Sequence, residues 1–446
     1  MIVLKFGGTS VGGSDPIRRV GKIVQTRIER GAVVVVSAVG GITDKLFRLS
    51  DSALSGANWE EAFVAIRDQH HQILQELELE EDLVDHLLSD LHSLAGGIAS
   101  LKELTARTRD RLVSFGERLS ARIVAAHLRS QGVASTALDA FDAGLLTDSR
   151  FGEARPLPNT EERIREALAG VEGVPIITGY LAQDSEGVIT TLGRGGSDYS
   201  ASIFGAALGA EEIEIWTDVD GVLSADPRIV SGATRLEKLS FSEASELAFY
   251  GAKVIHPLTM EPAVRKNIPI RVLNTYRPES AGTTIVSTLE DHERGVKSIT
   301  SKNHVSVVNV TAPRMLNQYG FVARIADVFK RHEVVLDMIA TSEVSVTLTT
   351  KEGAHLEPVV AELEEFSEVN VLHDMAQVSV VGEEIKTRIG FAADVFQVMR
   401  TLGINVEMIS FGATQINLSY VVSRDQVKTA VQGLHDHLFG DGGASS

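Results

Sequence analysis

Ala32–Val36 is the longest aliphatic run in this chain of 446 residues. A strand that is apolar on both faces is typical of a parallel sheet covered by helices on each side. Helical patterns separate this run from the other candidate strands, which favours a mainly parallel sheet. The run is too short to span a bilayer. The other candidate strands are Ile2–Phe6, Val174–Thr178, Gly187–Thr191, Glu212–Trp216 and Ile268–Leu273.

Two further regions lie between and after these candidate strands. Residues from about 45 to 130 form a long helical block in which His70 and His71 have no further metal ligands at suitable spacing, so both are predicted to be surface histidines. Residues 274–303 contain Pro278, Gly282 and a charged stretch, and they mark a domain boundary.

An internal repeat follows that boundary. Gly320 and Gly390, which each precede a helical pattern, lie 70 residues apart, and the same shift relates Met338 to Met408. Strand patterns surround each helix, so we predict two tandem βαββαβ-like modules. We expect the modules to pack sheet to sheet, because each leaves a strand edge that needs cover.

The overall composition excludes several classes of protein. The chain has 60 acidic and 42 basic residues, a net charge of -18, which argues against nucleic acids and anionic membranes as partners. It has no cysteine, which excludes disulfides, thiolate catalysis and thiolate metal sites. Lys5 interrupts the apolar start, so no signal peptide is predicted. We therefore expect a cytoplasmic protein.

A glycine pair follows the first strand, in Lys5-Phe6-Gly7-Gly8-Thr9-Ser10. Paired glycines allow backbone N–H groups to turn toward a ligand and to form an anion-binding nest, beside which a lysine suits a phosphate. The alternative is a strand that ends in a flexible turn. The hexapeptide alone does not separate the two interpretations.

A second glycine-rich segment, Gly193 to Asp198, lies between a strand pattern and a helix pattern. Ligands of parallel sheets bind at the carboxyl ends of strands, and helix N-termini attract anions. Arg194 can hold a carboxylate or phosphate bidentately, and Asp198 can hold an amine. The alternative is a turn with Asp198 as the helix cap. The sequence contains no Walker A loop and no GxGxxG string.

A third segment combines Trp216–Gly221 with the nearby Asp226 and Arg228. This loop can hold a ribose, an adenine edge and a phosphate. Turn chemistry explains the same residues, and it is the preferred interpretation for Asp220. Lys253 by itself is typical of a solvated charge.

Three more positions have competing interpretations. Ser37 ends a strand, and Thr43 suits either a helix N-cap or a substrate contact. Glu117 lies about 200° around its helix from the buried Leu119, at about 100° per residue. Periodicity therefore points Glu117 toward solvent in preference to a site.

Together these segments resemble those of the aspartate kinases, within the amino acid kinase family. The resemblance spans nearly the whole chain. It implies a three-layer α/β/α sandwich at 1–295 with a helical insert at about 45–130, and two ferredoxin-like ACT domains at 296–372 and 373–446 that can interleave. The matching segments, in chain order, are Lys5–Ser10, Ser114–Leu119, Gly193–Ser200, Trp216–Gly221 with Asp226–Arg228, and Gly251–Pro257.

The resemblance also implies residue roles. ATP-binding positions fall on Lys5, Phe6, Gly7, Gly8, Thr217, Asp218, Arg228 and Lys253, of which Lys5, Asp218 and Lys253 would be catalytic. Positions that bind aspartate fall on Ser37, Thr43, Glu117, Arg194, Gly195, Gly196, Ser197 and Asp198. Mg²⁺ would be held mainly through the ATP phosphates. Leu223 departs from the family pattern, because many relatives have a tyrosine there.

The effector positions implied by the resemblance lie in the first ACT domain. Lysine is the favoured effector and threonine is the alternative, and the ACT domains are expected to form a homodimer or larger assembly. Two polar positions common in the family's lysine site are Gln318 and Val335 in this chain. The implied effector residues are Met315, Phe321, Val322, Asp337, Ser342, Glu343 and Val344.

The implied reaction transfers the γ-phosphoryl group of ATP to the β-carboxylate of L-aspartate. It gives 4-phospho-L-aspartate and ADP, the first step of lysine, threonine and methionine biosynthesis. A carboxylate with a pKa near ~3.9 is already ionised, so the attack needs no general base. Two alternatives stay open: a kinase that acts on glutamate or acetylglutamate, and a non-catalytic amino-acid sensor.

Overall fold

The computed structural model describes residues 1–249, 257–312, 319–353, 355–383, 385, 387–411 and 416–440. These residues divide into two compact units. The first contains Met1–Val222, Glu237–Phe241 and the segment from residue 254 to 288, and the second contains Leu223–Leu236, residues 242–253 and the chain from Leu289 onward.

The strands are β1 (Ile2–Phe6), β2 (Ala32–Val36), β3 (Ser135–Leu138), β4 (Leu146–Thr147), β5 (Val174–Thr178), β6 (Leu181–Asp184), β7 (Ile189–Thr191), β8 (Glu212–Thr217), β9 (Lys238–Ser240), β10 (Ile270–Asn274), β11 (Thr283–Val286), β12 (Ser298–Thr311), β13 (Leu336–Thr341), β14 (Ser345–Lys351), β15 (Glu368–Val381), β16 (Met408–Ser410) and β17 (Asn417–Ser423).

The α-helices are α1 (Ser14–Gln25), α2 (Ile42–Ser55), α3 (Trp59–Glu76), α4 (Asp85–Leu101), α5 (Ala106–Val113), α6 (Phe115–Ser130), α7 (Thr160–Leu168), α8 (Gly196–Leu208), α9 (Phe241–Phe249), α10 (Pro257–Arg265), α11 (Phe321–Arg331), α12 (Leu356–Glu364), α13 (Phe391–Thr401) and α14 (Val427–Phe439). None of the described helices is long and apolar enough to cross a bilayer.

The first unit is built on an eight-stranded sheet in the order β3-β5-β2-β1-β8-β10-β11-β9. The central strands β5, β2, β1, β8 and β10 run parallel. Val34 and Val36 join a core cluster with α1 and α6, whereas Val33 and Val35 are buried on the opposite face. Both faces of the sheet are therefore covered, and the predicted α/β class is confirmed.

The carboxyl ends of four parallel strands meet at one edge of this sheet. Gly7 N donates to Trp216 O, Ser37 N donates to Phe6 O, and Gly179 N donates to Val36 O. These bonds bring the loops after β1, β2, β5 and β8 together side by side. Such an edge is where parallel sheets place their ligands.

The helical block consists of α2 to α6, which share the core cluster of β1 and β2. His70 is fully buried within it, and its Nδ1 lies 2.7 Å from Ile66 O. Burial lowers the pKa of His70 to about 4. The prediction of a surface position is thus wrong for His70, because α3 packs on both α2 and α4. His71 is partly exposed and lies 2.9 Å from Asp85.

A small second sheet, in the order β4-β6-β7, lies beside the block. The sequence predicted one strand at Gly187–Thr191, but β7 begins at Ile189 and pairs antiparallel with β6. A turn through Gly187, with φ +81, joins the two strands. The hairpin leads directly to the glycine-rich segment at 193–198.

The second unit contains a six-stranded sheet in the order β13-β14-β12-β15-β17-β16. Its two long strands are each divided between two four-stranded modules. In β12, residues 305–311 pair with β14, whereas residues 298–303 pair with the part of β15 that adjoins β17. The modules therefore interleave, and β12 and β15 run from one module into the other within a single sheet. The expected packing of one module's sheet on the other is thus wrong for this chain. The expected ferredoxin-like modules are confirmed.

Candidate active site

A cavity of about 550 Å³ opens at the carboxyl edge of the first unit's parallel sheet. The loops after β1, β2 and β7 and the start of α6 line it, as the meeting of strand ends predicts. Ten residues predicted from sequence lie along its wall: Lys5, Gly8, Ser37, Thr43, Glu117, Arg194, Gly195, Gly196, Ser197 and Asp198.

Lys5 and Asp198 form an ion pair on this wall. Lys5 Nζ lies 2.7 Å from Asp198 Oδ1, and the two side chains are 11% and 17% exposed. Asp198 lies in the first turn of α8, whose N-cap is Gly195 with φ 73 and no side-chain cap. The interpretation of Asp198 as the helix cap is therefore wrong, and its carboxylate faces the lysine.

The glycines after β1 permit a close approach of two backbones. A Cβ atom on Gly8 would lie 3.2 Å from Ala38 O, closer than nearly all side-chain contacts. The loop after β2 can therefore lie directly against the loop after β1, which brings Ser37 and Lys5 to the same cavity. A larger residue at position 8 would separate these loops.

Glu117 is 4% exposed and lines the cavity from the first turn of α6. The periodicity argument for solvent is wrong, because the start of α6 packs on the loop after β2, where the backbone of Ala38 is a hydrogen-bond partner of the Glu117 carboxyl group. Burial raises the pKa of Glu117 to about 8, against the opposing effects of backbone N–H bonds and the Lys5 charge.

Thr43 lies inside the first turn of α2, which begins at Ile42. The N-cap is Gly41, with φ 79, so the expected cap role of Thr43 is wrong. Its side chain lines the cavity instead. Gln69 of α3 supports this loop, since its Nε2 donates to Gly40 O at 3.2 Å.

Asp110 is a site residue that the sequence reasoning missed. It is 4% exposed, and its carboxylate accepts from Gly152 N at 2.9 Å, Thr191 N at 2.8 Å and Thr191 Oγ1 at 3.0 Å. Burial raises its pKa. Asp110 thereby ties α5 to β7, just before the 193–198 segment. Arginines precede and follow it in the sequence, so it looked like part of a solvated charged helix.

Arg109, which also lines the cavity, was missed for the same reason. The guanidinium groups of Arg109 and Arg194 make no ion pair with the carboxylates of the described residues. Two cationic groups thus face a cavity that also contains the Glu117 carboxyl group and the Lys5–Asp198 pair. This combination suits a small ligand with both carboxylate and ammonium groups.

The remaining nucleotide candidates lie partly at the same edge. Thr217 ends β8, and its Oγ1 lies 3.2 Å from Asp218 Oδ1. Asp220 accepts from Asn274 Nδ2 at 2.7 Å and pairs with Arg277, which supports a structural role. Phe6 stacks on Trp216 with ring centroids 6.0 Å apart.

Asp226 and Arg228 belong to the second unit, where they pair at 2.6 Å. The arginine lowers the pKa of Asp226. Lys253 lies outside the described residues, as does Met315.

The other predicted effector residues lie in the second unit. Phe321 is buried, whereas Val322 and Val344 are exposed at 41% and 42%. Asp337 forms an ion pair with Lys302 of β12. Ser342 Oγ accepts from Ser345 N at 3.1 Å, within the turn that contains Glu343. In the described part of the chain, no group of three carboxylate or histidine side chains is placed to hold a metal ion.

The amino acid kinase family model matches residues 1–274, and an ACT domain model matches residues 378–438. Aspartokinase 1, chloroplastic, of Arabidopsis thaliana is 39% identical over 99% of this chain and 81% of its own length.

Two solved structures of E. coli aspartokinase III are similar to this chain at a TM-score of 0.82 and 33% identity, over 98% of it. One, matched over 100% of its length, is a complex with aspartate and ADP (R-state), and the other, matched over 99%, is a complex with lysine and aspartate (T-state). These similarities cover both units, and the chain belongs to the aspartokinases of the amino acid kinase family.

Proposed function

We propose that this chain transfers the γ-phosphoryl group of ATP to the β-carboxylate of L-aspartate. The observation that carries the proposal is the cavity that Lys5, Asp198, Glu117 and Arg194 line together, with Lys5 and Asp198 paired. L-Aspartate presents the complementary groups, two carboxylates and one ammonium. A related enzyme has been solved with aspartate and ADP, which supports both substrates.

Each charged group has a role in binding aspartate. Arg194 holds the α-carboxylate, and Glu117 with Asp198 holds the ammonium. Ser37, Thr43 and the backbone of Gly195, Gly196 and Ser197 complete the contacts. When the substrate ammonium approaches Asp198, it competes with Lys5 for the carboxylate. Lys5 Nζ, now 2.7 Å from Asp198, is then free to turn toward the transferring phosphoryl group.

The chemical step relies on position and charge. The β-carboxylate is ionised at neutral pH and attacks the γ-phosphorus without a general base. Lys5 and Lys253 stabilise the charge on the phosphoryl oxygens, and Asp218, Thr217, Arg228, Phe6 and the Gly7-Gly8 backbone hold the nucleotide. When bound, Mg²⁺ would be held mainly through ATP oxygens and would supply further neutralisation of charge.

A hydroxamate assay tests the proposal. Protein, MgATP, L-aspartate and hydroxylamine are expected to give aspartyl hydroxamate, because hydroxylamine traps the acyl phosphate. Signal with glutamate in place of aspartate would favour the glutamate-type alternative, and no turnover with any amino acid would favour a sensor. Lys5→Ala is expected to lose nearly all turnover but to bind aspartate, whereas Lys22→Ala, on the exposed side of α1, is the matched control.

We further propose the domain limits 1–295, 296–372 and 373–446, with residues 298–303 contributed to the second ACT module. The paired register of β12 with the distal part of β15 supports that exchange. A cytoplasmic location fits the lack of cysteine. Cell fractionation with a tagged chain tests the location.

Lysine is proposed as the feedback inhibitor, with threonine as the alternative, since a relative has been solved with lysine. A homodimer through the ACT domains is proposed as well. Exposed apolar side chains at Val335, Ile339 and Val344 support this interface. Light scattering tests the assembly, and addition of lysine or threonine to the hydroxamate assay tests the effector.

A further inference from the structure

A second cavity of about 380 Å³ lies in the first unit and shares no residue with the candidate active site. Three arginines line it: Arg107 and Arg111 from α5, and Arg118 from α6. The chain carries a net charge of -18, so a concave site with three guanidinium groups is unlike its average surface.

Two of these arginines form no ion pair with the described residues, although the charge of Arg107 contributes to the lowered pKa of Asp184. Arg107 and Arg111 lie at i and i+4 on one face of α5, where like charges repel each other. Among the described residues, no carboxylate lies within ion-pair distance of either guanidinium group. Asp90 is the acidic residue that lines the cavity. A bound anion would remove the repulsion.

Arg118 is fixed in place before any ligand arrives. Its Nε donates to Asp139 Oδ2 at 2.9 Å, and the guanidinium lies over the Phe115 ring at 5.3 Å. Asp139 is 2% exposed and also pairs with Arg122. The cavity thus combines one immobilised guanidinium with two that have no ion-pair partner among the described residues, an arrangement suited to a multiply charged oxyanion.

The other walls of the cavity favour a ligand that is larger than a free ion. Phe141, Val188 and Ile189 provide an apolar side, and the volume exceeds the space that one phosphate group needs. We propose that this cavity binds a phosphate monoester, with the phosphate on Arg107, Arg111 and Arg118 and the organic group against Phe141, Val188 and Ile189.

The same elements connect this cavity to the active site. Arg109 lies on the opposite face of α5 from Arg107 and Arg111, since two residues at about 100° each turn the helix by roughly 200°. Arg109 lines the active-site cavity. Asp110 ties α5 to Thr191 of β7, whereas Ile189 of β7 lines the second cavity. A ligand that draws α5 and β7 together therefore acts on the 193–198 segment, and we expect it to change the KM for aspartate.

Calorimetry with phenyl phosphate and with inorganic phosphate tests the site, with MgADP and L-aspartate saturating the active site. The double variant Arg107→Gln/Arg111→Gln is expected to bind both probes at least about tenfold more weakly than the wild type. The control Arg163→Gln/Arg400→Gln makes the same charge change on exposed helix positions and is expected to bind normally. Phe141→Ala is expected to weaken the binding of phenyl phosphate but not that of inorganic phosphate.

The proposal would be overturned if the two double variants bound the probes with equal affinity, or if the wild type bound neither probe at about 10 mM. A kinetic experiment tests the link to the active site: phenyl phosphate is expected to shift the KM for aspartate of the wild type and of the control but not of the Arg107→Gln/Arg111→Gln variant. The kinetic experiment rests on the proposed function, whereas the calorimetric experiment does not, so the two can fail separately. Binding without any KM shift would refute the link through α5 and β7.

Discussion

At the scale of single residues, the buried carboxyl group of Glu117 is the group on which pH acts most directly. With a pKa raised to about 8 by burial, Glu117 is mostly protonated at pH 7 in the free protein. An ammonium group beside it favours the carboxylate, so aspartate binding is expected to release a proton. Aspartate affinity is therefore expected to rise between pH 6 and pH 8, by up to about tenfold per pH unit.

Calorimetric titrations in buffers of different ionisation enthalpy would measure that proton. Glu117→Gln is the control and is expected to lose the pH dependence together with most of the affinity. If the wild type bound aspartate with no proton release at pH 7, Glu117 would not be the group that receives the ammonium.

The same pKa also predicts a stability effect. Because the pKa of Glu117 is raised on folding, the native state binds more protons than the unfolded state between about pH 4.5 and pH 8. The free energy of unfolding contributed by this group therefore falls as pH rises through that window. Glu117→Gln is expected to be more stable than the wild type by on the order of 2–3 kcal/mol at pH 7.

Denaturant unfolding of the wild type and Glu117→Gln at pH 5 and pH 7.5 would measure this difference. We expect the gap between them to widen with pH. A gap that stayed constant or narrowed would mean that the carboxylate of Glu117 is better compensated in the folded protein than its burial indicates.

Asp337 offers a residue-scale test of the effector proposal. Its carboxylate is paired with Lys302 of the same chain, and its side chain is 7% exposed. An effector whose ammonium binds Asp337 must displace Lys302. Lys302→Met is therefore expected to lower the lysine concentration needed for half-inhibition, by several-fold, and Asp337→Asn to raise it.

The hydroxamate assay with increasing lysine gives both values. Lys351→Met, a change of equal charge at the end of the neighbouring strand β14, serves as the control. A Lys302→Met variant with unchanged or weaker lysine response would argue that Asp337 does not receive the effector ammonium.

At the scale of elements, the link from α5 to β7 through Asp110 is expected to position the 193–198 segment. Asp110→Ala leaves the partly buried N–H of Gly152 and the buried N–H of Thr191 without their acceptor, at a cost of about 2–4 kcal/mol. We expect its KM for aspartate to rise more than its kcat falls, because the residue acts through the loop that carries Arg194.

Asp110→Asn provides the matched test, because its amide oxygen can still accept from Gly152 N and Thr191 N. It is expected to restore most of the stability and the KM. An Asn variant as impaired as the Ala variant would show that the negative charge, and not the tether, is what Asp110 supplies.

The elements also show where sequence reasoning succeeded. Val174–Thr178 was predicted at its observed bounds, and the strand that begins at Ala32 was predicted one residue too long, to Ser37, since runs that are apolar on both faces have few other solutions. The short strands β9, at the sheet edge, and β11, beside it, were missed, because three or four residues carry little periodicity. Lys5 and Arg194 were found because glycines surround them, whereas Asp110 has no such local signal.

At the scale of the whole molecule, the exchange of strand segments between the two ACT-like modules could not be read from the repeat. The repeat gives two similar units, but only the register of β12 on β15 shows that residues 298–303 complete the second module before the first begins. Each module therefore contains segments of β12 and β15 that continue directly into the other module. Long-range pairing of this kind is set by tertiary contacts and leaves no local pattern.

This exchange predicts that the two modules unfold together. Leu418 is fully buried in the second module, and Leu418→Ala is expected to cost about 2–5 kcal/mol. Because β12 and β15 are shared, we expect amides of β14 in the first module to lose hydrogen-exchange protection by the same free energy as amides of β17. Leu348→Ala, in the first module's core, is expected to give the reciprocal loss in β17. If each substitution reduced protection only within its own module, the modules would be independent units joined by paired strands, and an effector bound to one would need another route to reach the other.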